Sequence, residues 1–209
     1  MNEQEVLDVF NRFKVITEGH FVCRSGFHTN KYVNKDAIYP HTKATSELCR
    51  AIAEQFAPDG VQIVVGPAMG GAILSQWVAH HLSQINGKEV LSVYAEKIPG
   101  RDVFVIKRGQ GRFIPENRVL VVEDVLNTGS SAFLTILAVR EFGGNVIGVG
   151  ALCNRGSRGD RTHEDLGVPK IVSLLKLKLD LWEARSCPLC ARGIPVSMDL
   201  GAGRELPAY

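Results

Sequence analysis

Apolar positions first follow helical spacing and then settle into short β-branched runs separated by helical stretches. Val6, Leu7, Val9, Phe10 and Phe13 share one helical face, with Asn2 placed to cap it ahead of Glu3 and Glu5. Residues 21–36, rich in Gly, Ser, Asn and aromatics, read as short strands and loops. Leu48, Ile52 and Phe56 restore the helical period over residues 46–56. From residue 61 the rhythm is regular. Strands are predicted at 61–65, 90–95, 118–123 and 146–152, and helices at 72–82 and 132–142. Residues 171–182 alternate through Leu175, Leu177, Leu179 and Leu181 and read as a further strand before an irregular tail.

Short apolar strands alternating with helices predict an α/β protein with a parallel central sheet flanked by helices. We expect a single domain over 1–209, with residues 1–40 forming a small N-terminal hood and 183–209 an irregular tail. Ligands of such sheets bind beyond the carboxyl ends of the strands. The loops starting at Gly66, Glu96, Asp124 and Asn154 should therefore face one cleft.

Composition narrows the class only a little. A 45% hydrophobic share gives material for a core, and 24 basic against 22 acidic residues leave a net charge of +2. That balance gives no reason to expect nucleic acid or a membrane surface as partner. No apolar run approaches the length of a membrane span. Five cysteines, an odd number with only Cys187 and Cys190 close together, suggest a reducing, cytoplasmic compartment.

The most informative segment is residues 119–131. An apolar strand delivers Glu123 and Asp124, and a turn of small residues leads into a helix. Backbone N–H groups of such a turn and of the helix start can cradle a phosphate dianion. Gly129 lets the chain approach, and Thr128, Ser130 and Ser131 add hydroxyls. The two carboxylates would repel a phosphate; they suit ribose hydroxyls, or Mg²⁺ reached through substrate and waters. A capped helix start would favour the same residue types. Neither a P-loop nor a dinucleotide fingerprint is present.

Here the chain resembles the type I phosphoribosyltransferases, whose motif for phosphoribosyl pyrophosphate is an apolar strand, two acids and a Thr-Gly turn. The resemblance implies that Glu123, Asp124, Val125, Leu126, Asn127, Thr128, Gly129, Ser130 and Ser131 bind that substrate. Residues 19–26 and 32–36 look like the hood of the orotate phosphoribosyltransferases, and residues 65–71 resemble the pyrophosphate loop of the same family. By resemblance, Arg24 would touch phosphoribosyl pyrophosphate, Tyr32 and Asn127 would lie along the pyrimidine, and Arg155 would bind the orotate carboxylate. A planar, bidentate guanidinium suits that anion. Lys97, Lys107 and Arg108 fall in the long polar stretch 96–117, where the family carries its catalytic loop, so Lys97 and Asp124 are the expected catalytic residues. Val103 to Ile106 could alternatively make this stretch a solvated hairpin. Asn127 stands where the family often has Thr, and Met69-Gly70 where many members have an aromatic-Lys pair.

The resemblance implies transfer of 5-phosphoribosyl from phosphoribosyl pyrophosphate to orotate, with Mg²⁺, by a homodimer whose loops reach the partner's site. A transferase for another base, or a regulator that binds phosphoribosyl pyrophosphate without catalysis, are the alternatives. Cys187-x-x-Cys190 could be half a zinc site, a disulfide or simple tail packing. A tetrahedral site needs four ligands, and no second cysteine pair exists. His28 lies in a motif segment and is expected near substrate. His80 and His81 are adjacent on a helix and cannot point the same way.

Overall fold

The computed structural model describes residues 1–23, 25–156 and 162–200. Asn2 caps α1 (Glu3–Arg12) as its sequence predicts. Its Oδ1 accepts from the Glu5 N–H at 2.9 Å, and its own N–H donates to Glu5 Oε2 at 2.8 Å. This reciprocal box satisfies two donors that a helix start otherwise leaves free. The chain then makes an antiparallel hairpin, β1 (Ile16–Val22) and β2 (His28–Val33). A 3₁₀ turn at Lys35–Ala37 leads to α2 (Thr42–Phe56), which begins four residues before the predicted start.

The remaining elements build one six-stranded sheet. They are β3 (Ile63–Pro67), α3 (Gly70–Asn86), β4 (Leu91–Lys97), β5 (Phe104–Val105), β6 (Arg118–Leu126), α4 (Ser130–Glu141), β7 (Asn145–Asn154), α5 (His163–Leu166), β8 (Ile171–Lys176) and α6 (Pro188–Ala191). The strand order is β5-β4-β3-β6-β7-β8, parallel except for β5. Alternate residues of β6 serve opposite faces, as a period of two requires. Leu120 and Val122 join the core beneath α2 and α3, with Leu48, Ile52, Phe56, Leu74 and Val78. Val119 and Val121 join the core beneath α4, with Ile136, Val139 and Val149. Two apolar layers thus clamp the sheet and fix its carboxyl edge.

Two strand bounds change, and one alternative is decided. β6 runs to Leu126 rather than residue 123, because β7 pairs with it as far as Leu126↔Asn154. β8 stops at Lys176, its register partner being Asn154 at the end of β7. Beyond a last bond from Leu177 N–H to Asn154 O at 2.8 Å, Leu179 and Leu181 pair with no strand among the described residues. Trp182 instead bridges back to His28 in the hairpin. The polar stretch after β4 is a hairpin: Ile98 N–H donates to Val103 O at 3.0 Å, and β5 returns against Glu96 and Lys97. Phe104, Ile106 and Ile114 are buried and anchor it.

Candidate active site

The parallel strands place the segments after β3, β6 and β7 at one edge of the sheet. The segment after β3 is folded tightly. A Cβ on Gly66 would strike the Gly71 carbonyl, and one on Gly71 would strike the Pro67 ring. A Cβ on Gly70 would collide with the Asp124 carboxylate and the Tyr39 hydroxyl. This loop therefore meets the site as bare backbone, with the Met69 side chain exposed.

Glu123 and Asp124 lie inside the β6 ladder and are buried, at 6% and 2% exposure, rather than standing at a solvated strand end. Asp124 Oδ2 accepts from the Tyr39 hydroxyl at 2.8 Å and faces Lys35 Nζ at 2.9 Å. Its Oδ1 accepts from the Val125 N–H at 2.8 Å. Burial opposes the charge on Lys35, but the Asp124 carboxylate outweighs it and holds the ammonium pKa above its ordinary value. Burial, together with the same carboxylate, pushes the Tyr39 phenol far up, so its hydroxyl stays protonated and donates. Glu123 differs. Its Oε1 accepts from the Asp124 N–H at 3.3 Å, while Oε2 is buried with no hydrogen-bond partner among the described residues. Burial first, and then the neighbouring Asp124 charge, raise the Glu123 carboxyl above the usual range.

The turn after β6 exposes Asn127, Thr128, Ser130 and Ser131. Gly129 has a positive φ of 68° and occupies the N-cap of α4, where no side chain caps the helix. The Thr128 and Ser130 hydroxyls lie 2.8 Å apart. Thr128 Oγ1 accepts from the Ser130 N–H at 3.4 Å, and the other first-turn N–H groups of this twelve-residue helix, opened by glycine and ringed by hydroxyls, suit an anion. Val125 is half-buried and packs against the core beneath α2 and α3. Leu126 is buried, and its carbonyl accepts from the Arg155 N–H at 2.8 Å. Arg155 Nε is buried without a hydrogen-bond partner among the described residues. Burial raises the Cys23 thiol, and the Arg155 charge acts the other way.

Other expected residues are distributed differently. Lys107 and Arg108 pair with Glu96 at 3.7 and 3.0 Å, and Lys97 pairs with Asp102 at 2.9 Å. All three ion pairs lie in the β4–β5 hairpin, two strands from β6. Tyr32 packs its ring against Phe21, with centroids 5.6 Å apart. Arg24 lies outside the described residues. Lys35, Tyr39 and Gly70 were not anticipated as partners of Asp124. They follow the hairpin or open α3, and nothing local in the sequence separates such a lysine from a solvated one. An open cavity of about 560 Å³ lies at the opposite, amino ends of β3 and β4, lined by Pro58, Gln62 and Leu91, away from the acid pair.

Comparison with known proteins agrees with this geometry. A family model described as the phosphoribosyl transferase domain matches residues 35–182. The orotate phosphoribosyltransferase of Desulforamulus reducens is 37% identical over 195 residues, covering 93% of this chain and 95% of its own. That of Caldanaerobacter subterraneus is 38% identical over 197 residues, covering 94% and 96%. Among solved structures, the orotate phosphoribosyltransferase from Aeropyrum pernix superposes with a TM-score of 0.66 at 26% identity, covering 82% of this chain and 93% of that one. The chain belongs to the phosphoribosyltransferase family and, within it, to the orotate phosphoribosyltransferases.

Proposed function

We infer that this cleft transfers the 5-phosphoribosyl group of phosphoribosyl pyrophosphate to N1 of orotate, giving orotidine 5′-phosphate and pyrophosphate for pyrimidine nucleotide synthesis. The carrying observation is the buried Glu123–Asp124 pair running straight into an uncapped, glycine-opened helix start, in a chain of this family. The bond from C1′ to the pyrophosphate oxygen breaks, oxocarbenium character develops on the ribose, and N1 of the orotate anion bonds to C1′. The protein's contribution is mainly positioning and charge. The 127–131 turn holds the 5′-phosphate. Asp124, aligned by Lys35 and Tyr39, orients the ribose hydroxyls with Glu123 beside it. The Gly66–Gly71 backbone, with Arg24, receives pyrophosphate, and Tyr32 and Asn127 flank the base. Arg155 pairs with the orotate carboxylate; its unpartnered Nε supports this assignment.

Mg²⁺ would enter with phosphoribosyl pyrophosphate. The residues present fit it: the acid pair offers hard oxygen donors, and the unpartnered Glu123 Oε2 needs a cation or a proton donor. When bound, the ion would offset charge on the leaving pyrophosphate. We place the protein in the cytoplasm, where its thiols stay reduced, as a homodimer whose Lys97, with Lys107 and Arg108, closes over the partner's pyrophosphate.

The test is product analysis with Mg²⁺, phosphoribosyl pyrophosphate and a panel of bases. Orotate should be consumed, and uracil, adenine and xanthine left unchanged; conversion of a purine with orotate inert would overturn the base assignment. Arg155→Ala should weaken orotate binding by about 2–4 kcal/mol while phosphoribosyl pyrophosphate affinity moves much less. Equal losses for both would place Arg155 outside the base pocket.

A further inference from the structure

The C-x-x-C pair in the tail has its missing partners in the hairpin. His20 on β1, His28 on β2, Cys187 and Cys190 bring one ligand atom each to within 4.8 Å of all the others. Cys190 Sγ lies 3.4 Å from His28 Nδ1 and 3.7 Å from His20 Nε2, and Cys187 Sγ lies 3.6 Å from His20 Nε2. On a tetrahedral zinc ion with ordinary bond lengths, sulfur and nitrogen ligands sit about 3.5 Å apart. The three distances match that edge. The two ring nitrogens, 2.7 Å apart, would spread by about half an ångström on a metal. We propose that His20, His28, Cys187 and Cys190 form a closed, structural Cys₂His₂ zinc site that staples the tail to the hairpin.

The surroundings orient the ligands for that role. His20 Nδ1 lies 2.7 Å from the Ile194 carbonyl. A carbonyl only accepts, so Nδ1 carries the proton and Nε2 presents its lone pair to the cluster, the outer-shell arrangement that metal-bound histidines use. His20, His28 and Cys187 are buried, and Cys190 stays exposed. The backbone repeats the connection: His28 and Trp182 exchange N–H to carbonyl bonds of 2.8 and 2.9 Å, and Ser197 N–H donates to the His20 carbonyl at 2.7 Å. Two thiolates and two neutral imidazoles leave no open coordination position, which suits structure rather than chemistry. The two thiols release their protons on binding, and Zn²⁺ with two thiolates is neutral overall. A two-stranded hairpin is marginal by itself, and this one leads directly into Lys35 and Tyr39. All four ligands come from one chain, so no second subunit is needed to complete the set.

The decisive measurement is metal content of untagged, reduced, full-length protein after saturation with zinc and desalting. We expect about one zinc per chain, and Co²⁺ in its place should give the intense visible bands of a tetrahedral site with a thiolate charge-transfer band. Cys190→Ser and His28→Asn should each weaken zinc binding by more than about tenfold. Both should lower Tm by roughly 5 °C or more. His28→Cys should retain the metal and strengthen the thiolate band. Metal-free protein after saturation, weak octahedral cobalt bands, a Cys187–Cys190 disulfide under reducing conditions, or zinc unchanged in both loss variants would each overturn the site. The cobalt spectrum of the unaltered protein decides the matter even if a variant fails to fold.

Discussion

Glu123 and Asp124 are neighbours in sequence with opposite circumstances. Asp124 directs its charge to Lys35 and Tyr39, whereas Glu123 keeps a buried oxygen without a partner among the described residues. A carboxyl raised by burial binds its proton more tightly in the folded chain than in the unfolded one. Near pH 4.5, the ordinary value, the unfolded chain begins to release that proton while the folded protein retains it. Stability contributed by Glu123 is therefore lost as pH rises through the neutral range. Glu123→Gln removes this cost, and we expect the unliganded variant to gain about 1–3 kcal/mol over the native protein near neutral pH and almost nothing at pH 4. Paired denaturation curves at the two pH values check it. A gain independent of pH would mean that Glu123 is not held protonated.

At the scale of elements, the site depends on how closely two segments approach. The β3–α3 turn lies against β6 with no space for a methyl group at Gly70, since Asp124 and Tyr39 occupy it. Gly70→Ala must push either the turn or the carboxylate away. The expected cost is about 1–3 kcal/mol of stability, with more than about tenfold loss of turnover through misplacement of Asp124. Steady-state rates with a melting curve test this; unchanged turnover would separate the turn from the reacting centre. The length of β6 follows the same logic. β7 continues beside it to Asn154, so the acids are held by a ladder rather than left at a frayed end.

For the whole molecule, the proposed role of the β4–β5 hairpin cations at pyrophosphate requires them to leave their present partners. Lys97, Lys107 and Arg108 are exposed and paired with Asp102 and a half-buried Glu96, and ion pairs of exposed cations contribute little and exchange readily. If they close over a partner's site, mixing Lys97→Ala subunits with Asp124→Asn subunits should restore one intact site per heterodimer. We expect each variant alone to be nearly inactive and the mixture to recover a measurable share of activity. No recovery despite demonstrated subunit exchange would leave the hairpin acting within its own chain.

The sequence by itself determined the alternation of strands and helices, the Asn2 cap, the acid pair and the glycine-opened turn after it, because each depends on residues within a few positions. Periods of two and 3.6 survive in any context that buries one face, so Val119 to Val122 and Leu48 to Phe56 were legible. Tertiary structure alone decided what these residues meet. Lys35 and Tyr39 lie more than eighty positions before Asp124, and His20 and His28 about 160 before the cysteines they join. No local period encodes such a meeting. The two histidines look unrelated at a spacing of eight until the antiparallel hairpin folds their strands together and Trp182 carries the tail back across them. Burial of the acids was likewise undecided until the full reach of β7 was known, since desolvation depends on every neighbour packed around a group and not on the residues beside it in the chain.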